Sequence, residues 1–316
     1  MVAARRILEG LATVLLVCFV TFFFTSKMPG SEAAVICGPA GTACVRHESA
    51  ILYLNHPFFE RFFHWLGELL QGNLGVTLAP PEPIGSVIAG AYPITLELII
   101  YSQVIAVVVA IPVAMWSAFR VHGLFDRLST TATFATLAIP VFMVGPLLAL
   151  VFTVKLPWFP GPAANVPSLW SDPGQNLYVM FLPSLTLAIG SIAVYQRLLR
   201  ADMVATLEED FIVMARAKGL STARILVRHA LRPSTFTTMT VAGIQVGSLI
   251  TGAIIVETVF ALHGLGSVLT AAVAAKDLPT VQAVTIVVAV FYIVCNVLID
   301  FLYTVIDPRV RRGRRA

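Results

Sequence analysis

The 316 residues are 58% hydrophobic and only 12% charged, about half the charged fraction of a typical soluble domain, which excludes a chain whose surface is mostly water-facing. The formal net charge of +4 comes from basic residues set between long apolar runs. They do not form a groove interleaved with stacking aromatics, which excludes nucleic acid as a partner and points to membrane topology instead.

Six apolar stretches are long enough to cross about 30 Å of hydrocarbon as helices: Ile7–Lys27, Ile94–Ala118, Thr130–Val154, Leu177–Gln196, Thr237–Val256 and Val281–Ile306. The first follows Arg5 and Arg6 as a signal peptide would. Its apolar run is longer than a signal core and no small-residue cleavage site follows, so a retained helix is expected. A loop of about 65 residues comes next, expected outside the cytoplasm. It contains Cys37 and Cys44 around Gly38, Pro39 and Gly41. An oxidising compartment permits a disulfide between them; two unpaired thiols or a metal site are the alternatives. Further on, Pro57–Gln71 (PFFERFFHWLGELLQ) mixes Phe58, Phe59, Phe62, Phe63 and Trp65 with Glu60, Arg61 and Glu68, the composition of a helix lying in a membrane interface. His47, His56 and His64 accompany it. They lack the tight spacing of a metal site and read as interfacial histidines. Pro80, Pro81 and Pro83 form a stiff connector, and helix two is expected to enter at Pro93. The loop Lys155–Asn176 carries several prolines and no periodicity, as an irregular outer cap would.

Counting Lys and Arg sets the orientation. Arg5 and Arg6, then Arg120 and Arg127, then seven in 197–234 and five in 307–316 lie on one side, sixteen of the 21. The other five, Lys27, Arg46, Arg61, Lys155 and Lys276, lie opposite. The majority side is cytoplasmic, and both termini lie there.

Residues 197–234 form the long cytoplasmic loop, and its pattern is helical. Leu207, Phe211, Met214 and Ala215 make an apolar stripe. Glu208, Glu209 and Asp210 stand early and Arg216 and Lys218 late, matching the helix macrodipole. Gly219 is placed to end the helix in the left-handed conformation, and Ser221 or Thr222 can cap a second helix through Arg224–Leu231. An apolar stripe on a water-facing helix marks a docking surface for another protein.

Two features of the spans bear on a pathway. Gly243, Gly247 and Thr251 form a small-residue ladder on helix five, serving ordinary helix packing or a seam with a second subunit. Glu97, Glu257 and Asp300 are ionisable residues within spans, and none is near the midplane, which disfavours a buried proton relay. No phosphate loop is present, since Lys218–Gly219 has the wrong order, and no HExxH, serine elbow or metal-ligand spacing occurs. The chain is not expected to be an enzyme.

The stretch Glu209–Ser221 (EDFIVMARAKGLS) followed by Arg228–Leu231 (RHAL) resembles the EAA-type loop of permeases of the ATP-driven, binding-protein-dependent importers, in the peptide/nickel branch. Gly72–Gly75 (GNLG), Thr95–Leu98 (TLEL), Val256–Phe260 (VETVF), Gly264–Gly266 (GLG), Asn296–Asp300 (NVLID) and Asp307–Val310 (DPRV) are similar in order and spacing. The sequence departs from the pattern at Val213–Met214, where the family has a polar pair, and at Pro233 and Thr237.

The resemblance implies an all-α, six-span permease of the type I importer fold: a first helix and outer loop over 1–93, a five-helix core over 94–306 and a basic tail over 307–316. Asp210, Phe211, Ala215, Arg216, Ala217, Lys218 and Gly219 would insert into a cytoplasmic ATPase, with the small Ala215 and Ala217 allowing close approach. Glu257, Gly264 and Gly266 would border the outer gate. The partners implied are a second homologous permease, two ATPase domains and an extracytoplasmic solute-binding protein. ATP and magnesium would sit on the ATPases, with no cofactor in this chain. Peptides lead as cargo, with nickel chelates, glutathione and haem as alternatives. An ion-coupled secondary transporter is the rival reading; it requires midplane charges or broken helices at an inverted repeat.

Overall fold

The computed structural model describes residues 2–28, 32–37, 42–51, 53–78, 80–162 and 166–306. The basic tail and Asp307–Val310 lie outside the described residues, as does the side chain of Asp300. The described chain is helical throughout: α1 Val2–Lys27, α2 Glu32–Cys37, α3 Thr42–Ile51, α4 Phe58–Leu70, α5 Ile84–Phe119, α6 Leu124–Ala138, α7 Val141–Ala149, α8 Pro173–Leu207, α9 Asp210–Ala217, α10 Thr222–Arg224, α11 Leu231–Val259, α12 Leu265–Ala275 and α13 Leu278–Ile306. Two wider, π-helical stretches, Leu150–Lys155 and Ile225–Ala230, continue α7 and join α10 to α11.

Five of these helical runs are long and apolar enough to cross a membrane: α1, α5, α8, the run Thr222–Val259 and α13. The sixth expected span is broken. Leu124–Ala138 and Phe142–Lys155 qualify only as a bent pair. The cause is local: Pro140 has no N–H to give, and it forces Ile139 before it into extended backbone (φ −89, ψ 123). Along the spans, side chains such as Val104 and Val108 stay more than half exposed, as suits helices that face hydrocarbon.

Several helices outrun their apolar cores. Helix α5 does not enter at Pro93 but starts at Ile84 and runs 36 residues, about 54 Å at 1.5 Å per residue. Helix α8 runs to Leu207, so Arg197 and Arg200 stand on the helix rather than in the expected loop. The second helix expected in the loop 197–234 is not separate either. After Ser221, in extended backbone at the N-cap, the chain passes through α10 and the π-helical stretch straight into α11. The wider turns lie just before Pro233, whose ring crowds the carbonyl of His229.

The helices form two compact units. The first comprises residues 1–95 and 263–298. Here α4 packs on α1 through rings: Phe22 meets Phe58, Phe62 and Trp65 at centroid distances of 5.5, 5.5 and 5.2 Å. Gly72 (φ +82) ends α4, its N–H and that of Asn73 donating to Leu69 and Glu68. A disulfide joins Cys37 at the end of α2 to Cys44 in α3, with Cα atoms 5.9 Å apart. Tyr53 stacks between His56 and His64, each 4.5 Å from its ring. Ile84, Ile88, Ala91, Leu265, Ala283 and Val284 form the buried core. Asp277 caps α13 through Thr280 and also accepts the Leu78 N–H at 3.2 Å, tying down the start of the proline connector.

The second unit comprises residues 96–262 and the chain from Ile299. Its densest packing is α8 against α11, where Gly252 lies so close to Leu187 that a methyl group there would be 2.7 Å from Leu187 Cδ1. Small Ala106, Ala110 and Ala188 surround buried Tyr195, which donates to Gln103 Oε1 at 2.9 Å.

Candidate functional site: the short helix α9 and its glycine turn

The seven residues expected to carry coupling fall on one element, α9 and its C-terminal cap. Asp210 occupies the first turn and Arg216 the last, each favourable to the helix dipole at its end. The end of the helix is a Schellman turn. Gly219 has φ +76, its N–H donates to Arg216 O at 2.9 Å, and the Leu220 N–H donates to Ala215 O at 3.2 Å. A bend this tight requires the left-handed conformation that glycine adopts without steric cost.

The expected apolar stripe divides into two faces. Ile212 is fully buried and Ala215 is 6% exposed, both packed with Ala114 and Ala118 of α5 and Leu199 and Met203 of α8. Phe211 and Met214 point away and are 46% and 57% exposed. Of the two alanines expected to allow close approach to a partner, Ala217 is outward and Ala215 is turned into the chain's own core. The helix is thus seated by one edge and presents an aromatic and a thioether on the other. Beside it opens a cleft of about 520 Å³ bordered by Phe119, Leu207, Glu208, Arg216, Leu220 and Leu226. One flank of α9 is therefore not embedded.

The other candidates are spread more widely. Glu257 is fully buried in the last turn of α11. Its carbonyl accepts the Leu262 N–H at 2.9 Å, closing a second Schellman turn in which Ala261 takes φ +52 in place of a glycine. Gly264 is the extended N-cap of α12 and Gly266 is buried in its first turn. The Leu265 N–H there donates to Thr95 Oγ1 at 2.8 Å, which gives the TLEL threonine a structural role. Glu257 belongs to the second compact unit and the two glycines to the first. On α11, Gly243 is buried, Gly247 half-buried and Thr251 exposed, so the ladder does not present a single face. Glu97 accepts from Asn176 Nδ2 at 2.9 Å, and Tyr101 donates to Asn176 Oδ1 at the same distance. Among the described residues no group of three or more His, Cys, Asp or Glu side chains is placed to hold a metal ion.

One polar cluster escaped the sequence reading. Arg200 on α8 forks onto Asp126 in the first turn of α6, with Nη2 donating to Oδ2 at 2.7 Å. Arg200 had counted only as a loop charge. The signal that could have found it is Asp126 itself, a carboxylate in the first turn of a helix opposite the only arginines of the neighbouring span.

The sequence matches two family profiles: "Binding-protein-dependent transport system inner membrane component" over residues 110–312 and the N-terminal part of the membrane component of such systems over residues 1–99. The chain is similar to the glutathione transport system permease protein GsiC of Escherichia coli, 34% identical over 311 residues and 97% of each chain. It has the same 34% identity and 97% coverage to that of Shigella dysenteriae. It is also similar to a probable peptide ABC transporter permease protein, y4tP, of Sinorhizobium fredii, 31% identical over 97% of this chain and 98% of the relative. Permeases of this family span the bacterial inner membrane repeatedly and work with separate ATPase subunits and a solute-binding protein. The chain belongs to the family of inner-membrane components of binding-protein-dependent transport systems, as the permease subunit of an ATP-driven importer.

Proposed function

We propose that this permease imports short peptides or glutathione-like solutes, and that α9 with its glycine turn carries ATPase motion into it. The carrying observation is the outward face of α9. Phe211 and Met214 are exposed on a short helix seated by its opposite edge and closed by the left-handed Gly219. Exposed apolar side chains on a water-facing element are stabilised by burial in a partner's groove. In this reading the groove belongs to a cytoplasmic ATPase, as the resemblance implies. Asp210 and the Arg216–Lys218 end give the helix opposite charges at its two ends for such a groove to read.

In the complete transporter the chain pairs with a second, homologous permease, two ATPase domains and an extracytoplasmic solute-binding protein. ATP and magnesium are held by the ATPases. Both termini and α9 lie on the cytoplasmic side, in keeping with the distribution of Lys and Arg. Glu257 and the segment around Gly264 and Gly266 border the outer mouth. ATP-driven closure shifts α9, and the helices packed on it tilt between inward and outward access. No covalent chemistry takes place in this subunit. The cargo follows from the relatives, whose names specify glutathione and peptide transport.

Affinity purification in mild detergent, wild type against Gly219→Asp, tests this. Wild type is expected to retain an ATPase and a second permease, and the variant to lose the ATPase. Wild type emerging without an ATPase would refute the coupling role. Binding of glutathione and of di- and tripeptides to the solute-binding protein tests the cargo, and failure of all of them would remove it.

A further inference from the structure

The cytoplasmic half of the broken span is tied to α5 and α8, the helices that seat the coupling element, by polar groups that the transport reading leaves unused. Arg200 lies two turns before the end of α8 at Leu207, and α9 begins at Asp210. Its Nη2 donates to Asp126 Oδ2 at 2.7 Å and its Nε to Oδ1 at 2.5 Å. Nε also reaches Ser117 Oγ, near the end of α5, at 3.1 Å. Ser117 donates to Asp126 and stands 3.3 Å from Ser129 Oγ. The His122 N–H donates to Asp126 Oδ2 at 2.8 Å. One carboxylate, 3% exposed, thereby gathers α5, α6, α8 and the turn between the first two. Two turns further along α6 and one turn back along α8, Thr133 Oγ1 donates to Gln196 Oε1 at 2.8 Å.

The two halves of the broken span are held differently. Helix α7 packs on both α8 and α11, and the backbone of Gly145 comes close to Thr186 and Val259 there. Helix α6 packs along α8 and has at most marginal contact with α9. Between them, Ile139 is extended and Pro140 lacks a donor, so α6 can change its angle without breaking helical hydrogen bonds. Motion of α9 reaches α5 and α8 directly through Ile212 and Ala215. It reaches α6 through the α6–α8 seam and through the end of α5, and both routes meet at the Asp126 carboxylate.

We infer that the Asp126–Arg200 pair is the latch that makes α6 follow the coupling helix, with Ile139–Pro140 as the pivot. Both are positioning residues, and the inference rests on the coupling role proposed above. A forked pair suits this task because its two parallel hydrogen bonds fix angle as well as distance. Its burial shields it from the screening that weakens surface pairs.

The test uses the complete transporter in nanodiscs and reads ATP hydrolysis with and without the solute-binding protein, per complex recovered. Asp126→Asn and Arg200→Met are expected to keep the ATPases bound while stimulation by the binding protein falls at least about tenfold. Arg200→Lys, which keeps the charge but loses the fork, is expected to fall in between. Stimulation per complex within about twofold of wild type in both charge variants overturns the latch. So does failure of both variants to form a complex, because the pair then serves assembly and not transmission. Gly219→Asp run alongside separates the two claims. If it leaves the ATPases bound and stimulated, the coupling reading fails; if it releases them while Asp126→Asn is stimulated normally, only the latch falls.

Discussion

Replacing Gly219 by alanine isolates one physical quantity. A Cβ built at this position meets no atom within 4 Å, so the substitution creates no clash within the chain. What remains is the backbone, held at φ +76. An L-residue with a Cβ pays about 1–2 kcal/mol in that region, while asparagine adopts it more readily than alanine. The two closing hydrogen bonds, Gly219 to Arg216 and Leu220 to Ala215, form only in that conformation, so the strain acts on the whole turn. A change of 1–2 kcal/mol shifts an equilibrium about 5–30-fold. Titrating the purified ATPase onto the permease in nanodiscs should show binding weakened about 5–30-fold by Gly219→Ala and less by Gly219→Asn. Hydrogen exchange of the Leu220 amide should speed up in the same order. Alanine binding as tightly as glycine would refute the argument. So would asparagine binding more weakly than alanine, or a loss far above 30-fold without faster exchange, which would assign the glycine to contact with the partner instead of to the turn.

Three further substitutions follow from local geometry. Ala261→Gly removes a left-handed alanine from the turn closing α11 and should stabilise the protein by about 1 kcal/mol, read as a rise in Tm. Asp277→Ala strips the bonds to Thr280 and to the Leu78 N–H, at about 1–3 kcal/mol. Faster proteolytic cutting within residues 73–83 should report it, and unchanged cutting would contradict the tie. Gly252→Val drives a branched side chain into Leu187 and should cost about 1–3 kcal/mol. Adding Leu187→Ala should recover part of the lost Tm, and full additivity of the two losses would show that they do not meet.

The spans and the short helix α9 with its glycine turn were legible because both rest on local rules. Apolar runs of sufficient length must be helices in hydrocarbon, whose peptide groups have no other partner. The left-handed Gly219 follows from charges that fit the helix dipole and a glycine one residue past the C-cap. Less legible was anything decided by packing. The stripe Leu207, Phe211, Met214, Ala215 was read as one face, whereas the structure buries Ile212 with Ala215 and turns Phe211 and Met214 outward. Periodicity cannot say which of two apolar edges meets the chain's own core and which is left over. Pro140 carried the signal for the break in the third span, yet apolarity continues across it and hid the interruption. Arg200 was counted for topology, and only the tertiary structure pairs it with Asp126, 74 residues away.

The seam proposed with a second permease also changes shape once the faces of α11 are known. Gly243 is buried, and Gly252 lies close against Leu187 of the same chain. Gly252 therefore serves packing within the subunit. The face left open carries Ile244, Ser248, Thr251, Ile255 and Thr258, spaced three or four apart along one stripe. Two of its hydroxyls do not require water, since Ser248 donates to Gln245 O and Thr258 to Ile254 O, each at 2.8 Å. Small side chains with internally satisfied hydroxyls let a second helix come close without stranding a polar group in hydrocarbon. Of the three ladder residues expected at the seam, Thr251 alone is exposed on this stripe. A bulky Thr251→Phe should therefore weaken recovery of the second permease in a pull-down while the ATPase stays bound through α9. Equal loss of both partners would place the seam elsewhere.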